Sequence, residues 1–199
     1  MRTRPTKRMT LVMIAMLASQ TATGMACDVP AGVEVSEADS DRMFDFFRSR
    51  SMGLAEALLS TDADARATVS GLFSGGDRYI DAIPDGKYRC RTIKLGGILP
   101  LTAYDYFACT ISDGGSRIDK TSGSQRFSGT LTSAAQAVFY QGALHYGDEQ
   151  PIAYGDDPER NQVGCIYRVG DDTTRRYRLE LPAPMFESTH DVIELVPVK

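Results

Sequence analysis

The apolar positions of this chain change rhythm once, near Pro84-Asp85-Gly86, and the change divides it into a helical part and a strand part. Before it, Ser36 followed by Glu37 and Asp39 has the form of an N-cap with acidic residues in the first turn, where free amides and the helix dipole favour them. Met43, Phe47, Leu54 and Leu58 then recur at helical spacing, which predicts one buried face, with a break or kink at 51–53 because of Gly53. Thr61 or Asp62 caps a second helix carrying Ala65, Val69, Leu72 and Phe73, ended by Gly75-Gly76. Phe44, Phe46 and Phe47 read as ordinary core residues.

Beyond Gly86 the period is two. Val163, Cys165, Tyr167 and Val169 alternate with Gly164, Ile166 and Arg168, and Tyr177, Leu179 and Leu181 alternate with Arg176, Arg178 and Glu180. Gly170-Asp171-Asp172-Thr173 between them is turn chemistry, so this pair predicts an antiparallel hairpin. Similar runs at 87–95, 104–111, 117–120, 126–131, 136–144 and 192–196 bring the total to about eight strands. Short connections rich in Gly, Asp and Ser favour antiparallel neighbours. The fold class is therefore α+β: N-terminal helices followed by a roughly eight-stranded, lipocalin-like antiparallel β-barrel, with a two-sheet β-sandwich as the alternative. In 87–95 the apolar positions Tyr88 and Cys90 change parity to Ile93 and Leu95, which predicts a bulge near Arg91 or Thr92. The even-face arginines Arg168, Arg176 and Arg178 read as a solvent face.

The first residues change the picture of where this domain works. Arg2, Arg4, Lys7 and Arg8, the apolar run Leu11-Val12-Met13-Ile14-Ala15-Met16-Leu17-Ala18 and the small polar stretch 19–26 follow the order of a secretory signal. The run is far shorter than the roughly 20 residues that span a bilayer. Residues 1–26 are read as a cleavable signal peptide and 27–199 as one domain, with 36–74 helical and 86–199 forming the barrel. The expected location is the periplasm, with a lipid anchor on Cys27 as the alternative; Gly24 stands where a lipoprotein signal has an aliphatic residue. The leader holds four of the 22 basic residues and none of the 26 acidic ones, so the remainder has 18 against 26, a net charge of about −8. Such a domain repels phosphate backbones, which argues against nucleic acid as a partner. No transmembrane segment is expected after signal removal.

Four cysteines in an oxidising compartment point to disulfides. If 88–95 pairs with 104–111, Cys90 falls directly opposite Cys109 at an α-carbon separation of about 4.5 Å, within bonding range. Cys165 is then left to Cys27, or to remain a buried thiol if Cys27 is lipidated.

Several stretches carry a resemblance. Gly86-Lys87-Tyr88-Arg89-Cys90-Arg91-Thr92-Ile93-Lys94-Leu95-Gly96, Phe107-Ala108-Cys109, Gly123-Ser124-Gln125-Arg126-Phe127-Ser128-Gly129 and Leu179-Glu180-Leu181-Pro182-Ala183-Pro184-Met185-Phe186-Glu187-Ser188 resemble an exported proteobacterial family, domain of unknown function number 4893. The likeness spans nearly the whole chain beyond the leader, including the helical start at 36–42. It implies an exported protein and assigns no activity or functional residue. The family pattern often has Trp beside the second cysteine, where this chain has Phe107 and no Trp.

No nucleophile elbow, Walker loop, HExxH or CxxC is present, and the sequence calls for no catalytic residue, metal or cofactor. Gln125 and Arg126 form the most suggestive polar pair, since an arginine fork suits a carboxylate or phosphate, although Arg126 has Asp119 as an alternative partner. Tyr167 and Tyr177 join them as candidate ligand-binding residues, within a barrel wall of Tyr88, Phe107, Phe139, Tyr167 and Tyr177. The acidic loop 147–162, with Asp148, Glu149, Asp156, Asp157 and Glu159, matches no calcium-loop spacing and reads as solvated charge. These features suggest a periplasmic binding or interaction module whose partner is a small ligand or an envelope protein. The alternatives are an envelope scaffold or enzyme inhibitor acting through Phe44 or Phe46, and a hydrolase or isomerase centred on His145 beside Asp148 and Glu149.

Overall fold

The computed structural model describes residues 27–147, 149–170 and 175–198. The expected leader, Asp148 of the acidic loop and 171–173 of the hairpin turn lie outside the described residues.

Three helices come first: α1 (Glu37–Phe44), α2 (Phe46–Ala57) and α3 (Ala63–Phe73). Ser36 caps α1 by accepting the Asp39 amide (3.1 Å), and Asp62 caps α3 by accepting the amides of Asp64 and Ala65. The helical chain breaks at Asp45 rather than at 51–53, and α2 runs straight through Gly53. Of the predicted face, Met43 is buried and Leu54 packs partly against the core, but other residues carry the side of α2 that meets the barrel. Phe46, Ser49, Gly53 and Ala57 are buried, whereas Leu58 is 76% exposed and Phe44 of α1 is 91% exposed. The reason is proximity: a β-carbon on Gly53 would stand 2.9 Å from the His190 β-carbon and 3.0 Å from that of Leu95. Small residues let the helix lie close to the barrel. Gly53→Ala is therefore expected to lower the unfolding free energy by about 1–3 kcal/mol through overpacking, despite the better helix propensity of alanine. Urea unfolding of the two proteins measures this, and a gain in stability would refute the close-packing account.

The strands are β1 (Gly86–Leu95), β2 (Leu101–Ala103), β3 (Phe107–Ser112), β4 (Arg117–Lys120), β5 (Gln125–Ser133), β6 (Val138–Tyr146), β7 (Asn161–Val169), β8 (Arg176–Pro182) and β9 (His190–Pro197). Every neighbouring pair is antiparallel. β1 pairs with β3 along its first half and with β9 from Tyr88↔Pro197 to Leu95↔His190, which closes β1, β3 to β9 into an eight-stranded barrel. β2 is an extra strand folded back on the end of β1. The closure excludes the sandwich.

The β1–β9 register is unbroken, so the expected bulge near Arg91 or Thr92 is absent. The change of parity has another cause. Tyr88 and Cys90 point into the barrel, while Ile93 and Leu95 point outward beneath the helices. One strand serves two cores. The inner core is filled with Ile111, Ile118, Phe127, Tyr140, Ile166 and Leu179 among others. Gly129 and Gly142 leave the space that the Tyr140 ring occupies, where added β-carbons would collide with it. The segment before β1 closes the end opposite to Lys94, with Ile83 buried in the inner core and Asp85 accepting the amides of Gly114 (3.0 Å) and Gly115 (2.6 Å).

Cys90 is joined to Cys109 (α-carbons 5.8 Å apart) and Cys27 to Cys165 (5.9 Å). The first link is diagonal. Tyr88, not Cys90, lies opposite Cys109, because β2 occupies part of the connection and β3 starts at Phe107 instead of residue 104. Disulfides of this kind belong to an oxidising, non-cytoplasmic compartment. With its sulfur bonded to Cys165, Cys27 has no thiol to carry a lipid. Among the described residues, no helix is long and apolar enough to cross a membrane.

Candidate functional site: the barrel mouth

At the other end of the barrel the inward positions turn polar. Thr92 and Lys94 come from β1, Lys120 from β4, Gln125 from β5, Gln162 from β7 and Asp191 from β9. Phe127, Leu144, Leu181 and Ile193 form the floor beneath them. Together they enclose a recess of about 60 Å³. A neighbouring recess of about 170 Å³ shares Thr92, Lys120 and Gln125 and adds Tyr104, Phe107, Ser124 and Glu187.

The two mouth lysines differ in their company. Lys94 lies 3.2 Å from a Glu187 oxygen and 3.6 Å from an Asp191 oxygen, and Ser188 donates to Asp191 (2.6 Å). Burial lowers the Lys94 ammonium, but Asp191 and Glu187 outweigh it and raise its pKa. Burial lifts the Asp191 carboxyl above its ordinary range. Lys120 is only 6% exposed, with its Nζ 4.5 Å above the Phe107 ring. Among the described residues no carboxylate, carbonyl or hydroxyl pairs with it. Burial and then the Arg126 charge push its pKa down to about 8.

Of the candidate ligand-binding residues, the structure brings Gln125 to this mouth and places the other three elsewhere. Arg126 stands on the outer face of β5, its Nε donating to the Gly123 carbonyl (3.0 Å), while Asp119 is held by Arg117 in a two-bond fork. Tyr177 is inside the filled core, its ring centroid 6.2 Å from that of Tyr88. Tyr167 and Phe139 point outward beneath α1 and α2, so neither is part of an inner wall. His145 is buried, and burial and then Arg126 hold its imidazole below its ordinary range. It lines neither recess, and neither ring nitrogen has a partner among the described residues. In the acidic loop, Glu149 and Asp157 both pair with Arg160.

A second polar cluster lies under the helices, and it includes Arg178, for which the alternation predicts a solvent face. Arg178 and Glu180 are fully buried on the outer face of β8. Glu180 takes two bonds from Arg50 (2.6 and 2.7 Å), one from Arg178 (2.7 Å) and one from the Nε2 of His190 (3.0 Å). Asp77 binds Arg50 (2.8 Å) and Arg178. Burial alone would raise the Glu180 carboxyl; Arg178, His190 and Arg50 overcome it and hold it at about 2. The Nδ1 of His190 lies 2.9 Å from Ser49 Oγ, which gives the residue types of a hydrolase triad. The arrangement is a fastening instead. His190 and Glu180 are sealed from solvent, and Ser49 Oγ already engages the Thr189 carbonyl (2.8 Å) and the Ala183 amide (2.9 Å).

The family model described as domain of unknown function DUF4893 matches residues 32–195, from just before α1 into the last strand. The chain belongs to this family. No curated protein and no solved structure matches the DUF4893 chain. Among its described residues, no group of three or more His, Cys, Asp or Glu side chains is arranged to hold a metal ion.

The sequence reading missed Lys120 as a site residue. Its signal was present: in Arg117-Ile118-Asp119-Lys120 the lysine shares the parity of Ile118, which puts a charge on the apolar side of a strand.

Proposed function

We propose that this DUF4893 protein is an exported binding module of the bacterial envelope that takes a small ligand at the barrel mouth. The observation that carries this reading is the recess itself, walled by residues of seven barrel strands above a core of buried apolar side chains. A site assembled from so many elements is rigid, and a concave, partly apolar wall with a few polar groups suits a small molecule. The filled interior sets the size. Large side chains such as Phe127, Tyr140 and Ile166 occupy the described interior, so the ligand sits at the rim. The leader-like first residues and the two disulfides support export.

Native mass spectrometry of protein purified from its own envelope tests the proposal. The expected result is a population carrying one small adduct, lost when Gln125 and Lys120 are replaced together by Leu and Met. Protein that leaves the envelope at its bare mass, and gains none on incubation with an envelope extract, would overturn it.

A further inference from the structure

We propose that the mouth is a carboxylate site, in which a small organic acid places its carboxylate on Lys120 Nζ and the Gln125 amide and its apolar body on Phe127, Leu144, Leu181 and Ile193. The inference rests on the binding reading above and names its ligand class. Three observations lead to it.

The first is the isolation of the amine. A lysine that is nine-tenths buried ordinarily has an anionic partner, because desolvating an ammonium is costly. Lys94, across the same mouth, has two: Glu187 and Asp191. Lys120 has only the Phe107 face among the described residues, and the charge that acts on it most is another cation, Arg126. Glu187 shares the neighbouring recess with Lys120 but is engaged by Lys94. Glu159, Arg160 and Arg42 also line the recess: Glu159 is exposed and, among the described residues, no ion pair joins it to Lys120, Arg160 is engaged by Glu149 and Asp157, and Arg42 by Asp39. An anion in the recess supplies the missing charge.

The second is the neutral donor beside it. Gln125 lines both recesses together with Lys120, and its amide can complete a two-donor grip on a carboxylate. Gln162 accepts from the Tyr140 hydroxyl (3.2 Å) through its oxygen, so its amide nitrogen remains a donor on the same rim. The third is the floor and the size. Four apolar side chains lie below the polar ring, and an enclosed water needs about 10–15 Å³, so a recess of about 60 Å³ has room for a small molecule and not merely a single water. A short-chain carboxylate has that shape, with one charged end and one apolar end.

The test is a titration of the full mature protein with sodium butyrate, with butyramide as the neutral isostere and inorganic phosphate as the non-carboxylate anion. The 13Cε shift of Lys120, assigned from the spectrum of Lys120→Arg, reports its protonation. An anion that prefers the ammonium form must raise the pKa of that group. Saturating butyrate is expected to raise the Lys120 midpoint by about one unit or more, which corresponds to a tenfold preference of butyrate for charged Lys120. Lys120→Met is expected to weaken butyrate at least tenfold while leaving butyramide within twofold, which also shows that the variant is folded. Butyramide binding as tightly as butyrate, or phosphate moving Lys120 where butyrate does not, would overturn the carboxylate class and leave the binding module standing. Failure of all three probes to perturb any mouth residue would likewise overturn the carboxylate site, while the mass measurement decides the binding module by itself.

Discussion

Glu180→Ala is expected to lower the unfolding free energy by about 3–5 kcal/mol, the cost of leaving buried charge without its partner. Two guanidinium groups and one imidazole converge on this carboxylate from α2, β8 and β9. Its removal leaves Arg178, which is fully buried, with Asp77 and the Leu72 carbonyl as its remaining polar partners. Glu180→Gln keeps the shape and removes the charge, and it should lose a comparable amount. If the alanine variant does not fold, the glutamine variant carries the test. Urea unfolding at neutral pH measures both, and a loss below about 1 kcal/mol would mean that the cluster is not holding the helices to the barrel. The same carboxylate gives a pH dependence. Its folded pKa lies at about 2, below the ordinary 4.5, so its contribution is complete above about pH 4.5 and disappears as the pH falls through 2. The wild-type protein should therefore lose stability between those values more steeply than Glu180→Gln does.

Removing the Cys27–Cys165 link should cost more than removing Cys90–Cys109. The first joins residues 138 positions apart and the second residues 19 apart. On the chain-entropy account the restraints contribute about 5 and about 3 kcal/mol respectively. Paired Cys→Ala variants compared by thermal unfolding give the order, and equal losses would show that local packing, not loop length, sets the effect. The longer link also pins the chain before α1 to β7, beside Met43, Phe46 and Phe139. Its loss should loosen α1 ahead of the barrel, which hydrogen exchange at the α1 amides would register.

The legibility of this fold in its sequence follows from how much each face contributes in apolar contrast. The caps at Ser36 and Asp62 and the β7–β8 hairpin could be read because one residue type in one place suffices. The α2 face could not, because its contact with the barrel consists of Ser49, Gly53 and Ala57, which have little hydrophobic signal and matter for their smallness. Apolar periodicity points to Phe47 and Leu58, both of which are exposed. The polar positions of β8 were misjudged for the same reason. Alternation identifies which residues share a face, but a polar face covered by helices and satisfied by ion pairs looks like a wet one. Gln125 stands out as a donor beside Arg126 in the polar segment Gly123-Ser124-Gln125-Arg126; Lys120 needs the parity of a four-residue strand, which is a weak signal by itself.

The seam between β1 and β9 has a consequence for how the molecule is made. The barrel closes by joining the earliest of its strands to the latest, and α2 rests on β8, β9 and β1 around that seam. A chain whose last strands are not yet in place holds β1 with one raw edge and α2 with most of its bed missing. Pairings between such distant segments form slowly, and unpaired edges recruit neighbouring chains. Until the last strand arrives, the barrel stays open along that seam and the helices lack a complete surface to rest on.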